Sequence, residues 1–185
     1  MNSIRHMTTM VTLLAALLGA TPLFANDAAI SWNLQTAAGD TISFPDQRDG
    51  PAILFFWASW CPYCKMLMPE LQTIADEHPG GLTIYAINFR DDGDPAAYLR
   101  ENGYTFTLLV KGGAVAEEYG IYGTPGLLIF NADNEQVFNL YDTIDQFETE
   151  VGTPEGLSHS EKAARKAPWW AEQIRAELEQ LQPAE

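Results

Sequence analysis

FFWASWCPYCK, residues 55–65, is the stretch on which the fold turns. Its first half closes an apolar run, PAILFFWAS at residues 51–59, rich in aromatic and aliphatic side chains. Such a run, too short for a membrane span and without polar alternation, predicts a strand buried on both faces. Its second half opens a helix. Over residues 62–78 the apolar positions Leu67, Leu71, Ile74 and Ala75 recur at helical spacing, and HPGG at 78–81 ends the pattern. Pro69 lies inside this helix and predicts a kink. Cys61 and Cys64, the two cysteines of the chain, therefore sit at a strand-to-helix junction.

On either side of this junction the pattern continues. Residues 29–44 read as a hairpin about AAGD, and residues 82–89 as a second buried strand. Asp94 caps a helix that has Pro95 at its first position and Gly103 after its end. Residues 105–110 are a short extended segment, and a short helix follows that stops at Gly120. Residues 126–141 form a terminal hairpin about NADNE. A polar stretch over 143–166 carries no readable period, although SHSE at 158–161 has the form of a capping box. A last helix runs from about Pro168 to Leu181, with Trp170, Ile174, Leu178 and Leu181 on one face. Strands alternating with helices predict an α/β fold. It has a mixed central sheet flanked by helices, an N-terminal β-hairpin and an added C-terminal helix.

The chain has 185 residues, 46% of them hydrophobic, enough for one domain with a full core. We expect a signal peptide over 1–25, a single α/β domain over 26–142 that carries the strand–helix alternation, and a polar connection with a C-terminal helix packing on that domain over 143–185. Residues 11–20 are an apolar stretch behind Arg5 and His6, and TPLFA leads to a cleavage site after Ala25. An uncleaved signal anchor is the alternative. Nothing later reaches about 18 uninterrupted apolar residues, so membrane attachment depends on that signal alone. Export places the cysteine pair in an oxidising, periplasmic compartment. The net charge of −15 disfavours nucleic acid, since such a surface repels phosphate backbones. The acidic clusters RDDGD and NADNE lack calcium-loop spacing and read as solvated turns.

Two cysteines this close hold a metal, staple a loop or exchange electrons. A structural zinc site takes about four ligands. Here His78 follows Cys64 but no second histidine stands at finger spacing, so no metal is expected. A disulfide closing so small a loop constrains the unfolded chain little. A redox dithiol is the favoured reading. At a helix N-terminus the unpaired N–H groups and the dipole stabilise a thiolate, so the pKa of Cys61 should fall. Cys64, one turn in, is more enclosed and stays a thiol longer. Cys61 is then the attacking sulfur and Cys64 the resolving one.

With the GTP of YGIYGTPGLLIF at 123–125, these residues resemble the thioredoxin superfamily, and the leading hairpin and the segment at 89–109 resemble its TlpA/ResA-like branch of exported reductases. The resemblance covers roughly residues 30–141. It implies that Trp60 shields the disulfide, and that Pro62 and Tyr63 help form the substrate site. It also implies that Pro125 is a cis-proline facing the cysteines, and that the backbone of Thr124 pairs with the client chain. Two acids of the family are missing. Phe55 stands where thioredoxins carry a buried aspartate, and Leu67 where ResA-like reductases carry a glutamate. Glu70 points elsewhere on the helix, so Cys64 relies on water for its proton. Lys65 is expected to point to solvent. Pro62-Tyr63 is the glutaredoxin dipeptide, whose owners have potentials of roughly −200 to −230 mV.

The resulting expectation is an exported thiol:disulfide oxidoreductase, a specialised reductase of periplasmic protein disulfides. It has no bound cofactor and, by the resemblance, a membrane thiol electron donor and clients such as apocytochrome c. The alternatives are a thioredoxin-fold adaptor or chaperone holding an exported client, for which Trp169 and Trp170 offer contacts, and a periplasmic dithiol oxidase or isomerase.

Overall fold

The computed structural model describes residues 29–181 apart from 47 and 49, so the expected signal segment and its cleavage site lie outside the described residues. Among these residues seven strands form one sheet: β1 (Trp32–Thr36), β2 (Thr41–Phe44), β3 (Ala52–Trp57), β4 (Thr83–Asn88), β5 (Thr107–Val110), β6 (Gly126–Phe130) and β7 (Gln136–Asn139). Their spatial order is β2-β1-β5-β4-β3-β6-β7. β3 pairs in parallel with β4, and β4 with β5; β1, β2, β6 and β7 pair antiparallel with their neighbours. The mixed sheet is the one the strand–helix alternation predicts.

Among the described residues five α-helices accompany the sheet: α1 (Pro62–Glu77), α2 (Pro95–Asn102), α3 (Gly113–Glu118), α4 (Ile144–Glu150) and α5 (His159–Gln180). β3 is buried along its whole length, as expected for a central strand. Its alternate side chains feed two separate cores. Ile53, Phe55 and Trp57 pack toward α1 and α5. Ala52, Leu54 and Phe56 pack on the opposite face with Trp32, Phe44 and Phe130. Phe55 and Leu67, which occupy the positions of the missing acids, are fully buried.

α2 forms as read: the Asp94 side chain accepts from Ala97 N, Pro95 opens the helix, and Gly103 closes it in the left-handed conformation at φ 72°. α1 continues through Pro69, which faces solvent. The proline leaves the Lys65 carbonyl without its intrahelical donor, and that carbonyl lies one turn back.

The C-terminal segment departs from expectation. The stretch over 143–166 is not irregular: a 3₁₀ turn (Leu140–Thr143) leads into α4, which buries Phe147. The last helix starts at His159 rather than near Pro168. The capping box is real, with the Ser158 side chain accepting from Glu161 N and the Glu161 carboxylate accepting from Ser158 N. Pro168 sits on the exposed face of α5, where its ring and missing donor are tolerated. Ala163, Ala167, Trp170, Ala171, Ile174 and Leu178 bury that helix against the core that also holds Cys64. Leu181, expected on the same face, lies just past the helix end and is half-buried. Of the tryptophan pair, Trp170 is buried and Trp169 is half-buried against Phe147, with its indole donating to Glu150 at 3.3 Å. Among the described residues no helix is long and apolar enough to cross a membrane.

Candidate active site

The chain leaves β3 at Trp57 and makes a tight turn, with Cys61 N donating to the Ala58 carbonyl, before α1 begins. Cys61 is the N-cap of α1, with extended backbone at φ −77° and ψ 115°. Caps are normally oxygen-bearing side chains that accept a first-turn N–H. Here a sulfur does so: Cys64 N donates to Cys61 Sγ at 3.2 Å. Pro62 at the first helical position costs nothing, because its N–H would be unpaired there anyway.

The second wall comes from the turn before β6. The Thr124–Pro125 bond is cis, and the Thr124 carbonyl lies 3.4 Å from Cys61 Sγ, which donates to it as a thiol. A second cis bond, Phe44–Pro45, has no counterpart in the expectations from sequence. Cys61 and Cys64 are both free thiols, 1% and 0% exposed. Burial, hydrogen bonding and charge together separate them. The Cys64 thiol donates to the Cys61 sulfur. Burial opposes that effect, while the Thr124 side chain and the backbone N–H groups of Cys64 and Tyr63 add to it, and together they bring Cys61 from 9.0 down to about 6. Burial pushes Cys64 well above the ordinary thiol value, helped by its own donation to Cys61 and by the charge there. The two sulfurs of one helical turn thus ionise in opposite directions.

Two residues that the sequence does not single out brace this junction. Asp91 falls in RDDGD, which reads as a solvated turn. Its carboxylate instead accepts from Ser59 N at 2.6 Å, Ser59 Oγ at 2.8 Å, Asn88 Nδ2 at 2.8 Å and Gly93 N at 3.0 Å. Burial alone would raise its pKa, but these donors hold it below the ordinary carboxylate value. Gly93 is required for the approach, since a Cβ there would meet Ser59 Oγ at 2.5 Å. Arg90 takes a positive φ of 52°. Its carbonyl accepts from Trp60 Nε1 at 2.9 Å, and its guanidinium donates to the Tyr122 carbonyl at 2.9 Å. One residue so ties the cysteine turn to the proline turn. An aspartate two residues before a glycine does signal a local side-chain turn. The reach to Ser59, 32 positions away, is tertiary and has no local signal.

The remaining expected residues gather here too. Trp60 is 60% exposed at the rim. Tyr63 packs on Trp170 and on His159, with ring centroids 6.3 and 6.1 Å apart. Lys65 does not extend freely into solvent: its Nζ lies 5.5 Å from the Tyr98 ring centroid. Glu70 faces α5, where its carboxylate is 3.9 Å from Arg175. Besides burial, the largest influences on Cys64 come from Cys61, Ala58 and Thr124. Cys64 in turn acts on Tyr98 and Tyr141, each of which is held above its ordinary value first by burial. Among the described residues no three His, Cys, Asp or Glu side chains group to hold a metal. Beside the proline turn lies a cavity of about 210 Å³, lined by residues that include Tyr63, Thr124, Pro125, Leu140, Ile144 and Trp170.

A sequence profile of the AhpC/TSA family matches residues 25–138. The thiol:disulfide interchange protein DsbE of Pseudomonas fluorescens biotype C is 34% identical over 106 residues, 55% of this chain and 58% of that protein. Sporulation thiol-disulfide oxidoreductase A of Bacillus subtilis is 30% identical over 108 residues, 55% of this chain and 65% of that protein. The chain thus spans about three fifths of the length of these curated relatives. In three dimensions it resembles a secreted Mycobacterium tuberculosis disulfide oxidoreductase, with a TM-score of 0.52 and 24% identity over 74% of this chain and 95% of that one.

Proposed function

The chain belongs to the AhpC/TSA family, and on that footing we propose that it is a thiol:disulfide oxidoreductase with Cys61 as nucleophile and Cys64 as resolving thiol. One observation carries the reading: Cys61 Sγ caps α1, accepts the Cys64 N–H at 3.2 Å, and is brought down to about 6. At neutral pH Cys61 is then mostly thiolate, the form that attacks a disulfide.

In the reductive direction the Cys61 thiolate attacks one sulfur of a client disulfide. That S–S bond breaks, the client's other sulfur leaves as a thiolate, and a mixed disulfide joins client to Cys61. The negative charge on Cys61 disappears in this step, and with it one of the effects that holds Cys64 protonated. Cys64 then loses its proton to solvent and attacks Cys61 Sγ. The client's second thiolate leaves, and the protein ends with a Cys61–Cys64 disulfide. Two electrons have passed from the protein to the client. The backbone of Thr124, next to Pro125, is the surface against which the client chain lies during the exchange. Trp60, Pro62 and Tyr63 are its neighbours there.

We read the protein as an exported, specialised reductase. The apolar stretch at residues 11–20 supports export, and the M. tuberculosis relative is itself a secreted protein. A thiol of pKa about 6 lies between the values of about 7 for thioredoxin and about 3.5 for DsbA, so the potential should lie above that of thioredoxin. Electrons for repeated turnover come from a membrane thiol donor in this reading.

Trapping tests the assigned roles. Cys64→Ser should accumulate mixed disulfides with client proteins, visible as reducible adducts after acid quenching and alkylation. Cys61→Ser should accumulate none. Equal trapping by both variants, or by neither, would sink the assignment.

A further inference from the structure

We propose that Tyr141 is a positioning residue for thiol–disulfide exchange: its hydroxyl holds both polar backbone groups of Gly123 and so fixes Thr124 beside Cys61. The inference rests on the exchange reading and adds to it a residue outside the cysteine and proline motifs.

The turn before Pro125 has one weak point. Thr124 has little backbone freedom of its own, because the residue before a proline is confined to extended conformations. Gly123, without a Cβ, is the freest residue there. A rotation at Gly123 would carry the Thr124 carbonyl away from Cys61 Sγ, which lies 3.4 Å from it.

Tyr141 removes that freedom. Its Oη accepts from Gly123 N at 3.1 Å and donates to the Gly123 carbonyl at 2.8 Å. The first bond holds the peptide unit between Tyr122 and Gly123, and the second holds the unit between Gly123 and Thr124. The Arg90 guanidinium grips the first unit from its other edge, through the Tyr122 carbonyl at 2.9 Å. Peptide units are rigid planes, so fixing the two that flank Gly123 fixes both of its backbone angles.

Tyr141 is itself held. It lies in the 3₁₀ turn after β7, where Asn139 Oδ1 accepts from Tyr141 N at 3.0 Å and Thr143 Oγ1 donates to the Leu140 carbonyl at 2.7 Å. Burial keeps the Tyr141 hydroxyl above the ordinary tyrosine value, so Oη retains the proton that it donates. The consequence reaches the sulfur through Thr124, whose carbonyl faces Cys61 and whose side chain helps to bring Cys61 down.

A second tyrosine supplies a matched control. Tyr119 Oη accepts from Ile30 N at 3.1 Å and donates to the Ile30 carbonyl at 3.1 Å, the same pair of bonds set against the opposite core. The test compares reduced wild type, Tyr141→Phe and Tyr119→Phe as full chains. Each substitution keeps the ring and removes one hydroxyl with its two hydrogen bonds. Two rates are followed from about pH 5 to about pH 9. Alkylation by iodoacetamide needs only the Cys61 thiolate. Reaction with a disulfide-linked dimer of an Ala-Cys-Ala peptide must also use the turn.

In Tyr141→Phe the alkylation midpoint should rise above about 6. At about pH 9, where Cys61 is mostly ionised in all three proteins, its exchange with the dimer should be about ten-fold slower than in wild type while its alkylation is unchanged. Tyr119→Phe should match wild type in both rates. A folded Tyr141→Phe that lacks either change would overturn the assignment and leave the redox reading standing. So would the same changes in Tyr119→Phe. A wild type that is alkylated at Cys61 but does not exchange with the dimer would overturn the redox reading and this inference together.

Discussion

The two faces of the central sheet are made by alternate residues of the same strands, yet they do different work. On the face away from α1, aromatic rings interlock: Trp32 stacks on Phe44 at 5.0 Å, and Phe44 meets Phe130 edge-on at 5.3 Å and Tyr85 at 6.0 Å. On the other face the core runs through Ile53, Phe55 and Trp57 into α1 and α5, and contains both cysteines. There a helix N-terminus is satisfied by a sulfur, and the resulting charge is stabilised within the core. The difference shows how one period of alternation builds a scaffold on one side and a reactive centre on the other. The same rigidity that packs the rings fixes the place of Cys61.

The separation of the two faces fails if damage to the packing face reaches the cysteines. Phe44→Ala removes a fully buried ring and should cost about 3–5 kcal/mol in urea unfolding. In the folded protein the Cys61 ionisation should stay near 6. A displaced midpoint in a still-folded variant would show that the two faces are not independent.

A smaller effect is expected from Asp91, which braces the turn before Cys61. Hydrogen bonds to a charged group contribute about 1.5–3 kcal/mol each at most, and replacing the carboxylate by an amide keeps part of them. Asp91→Asn should thus cost about 1–2 kcal/mol at neutral pH. The folded pKa of Asp91 is depressed, so its contribution is full above the unfolded value of about 3.9 and is lost as pH falls through the folded value. The gap in urea midpoint between wild type and Asp91→Asn should therefore close in acid. A gap that persists unchanged at the lowest pH would assign the effect to packing instead.

The smallest effect belongs to Lys65→Met. Its ammonium lies 5.5 Å from the Tyr98 ring centroid, a contact worth about 0.5–1 kcal/mol at an exposed site. Thermal unfolding should shift slightly and in a salt-dependent way. A large loss would mean that the helix dipole and the cysteine pair are not the main source of the site's electrostatics.

Much of this organisation is legible in the residues because it is local. The apolar run before Cys61, the Asp94 cap with Gly103, and the spacing of Leu67, Leu71 and Ile74 each act within one element. The proline turn is reached through the resemblance carried by residues 123–125, and the structure has its bond in cis. What is not legible depends on partners far along the chain. α4 escapes because IDQFETE offers Phe147 as its single buried side chain. The first half of α5 escapes because Ala163 and Ala167 bury as small residues and Pro168 resembles a start. Asp91 and Arg90 escape because their partners, Ser59, Trp60 and Tyr122, are remote in sequence.

Whether Cys61 is an activated nucleophile can be read from its ionisation. The ultraviolet absorbance of the thiolate, or the rate of alkylation by iodoacetamide, can be followed against pH in the reduced protein and in Cys61→Ser. The expected result is a transition with a midpoint at about 6 that vanishes in Cys61→Ser. A midpoint near the ordinary thiol value of about 8.5, or a low transition that survives the Cys61 substitution, would contradict it.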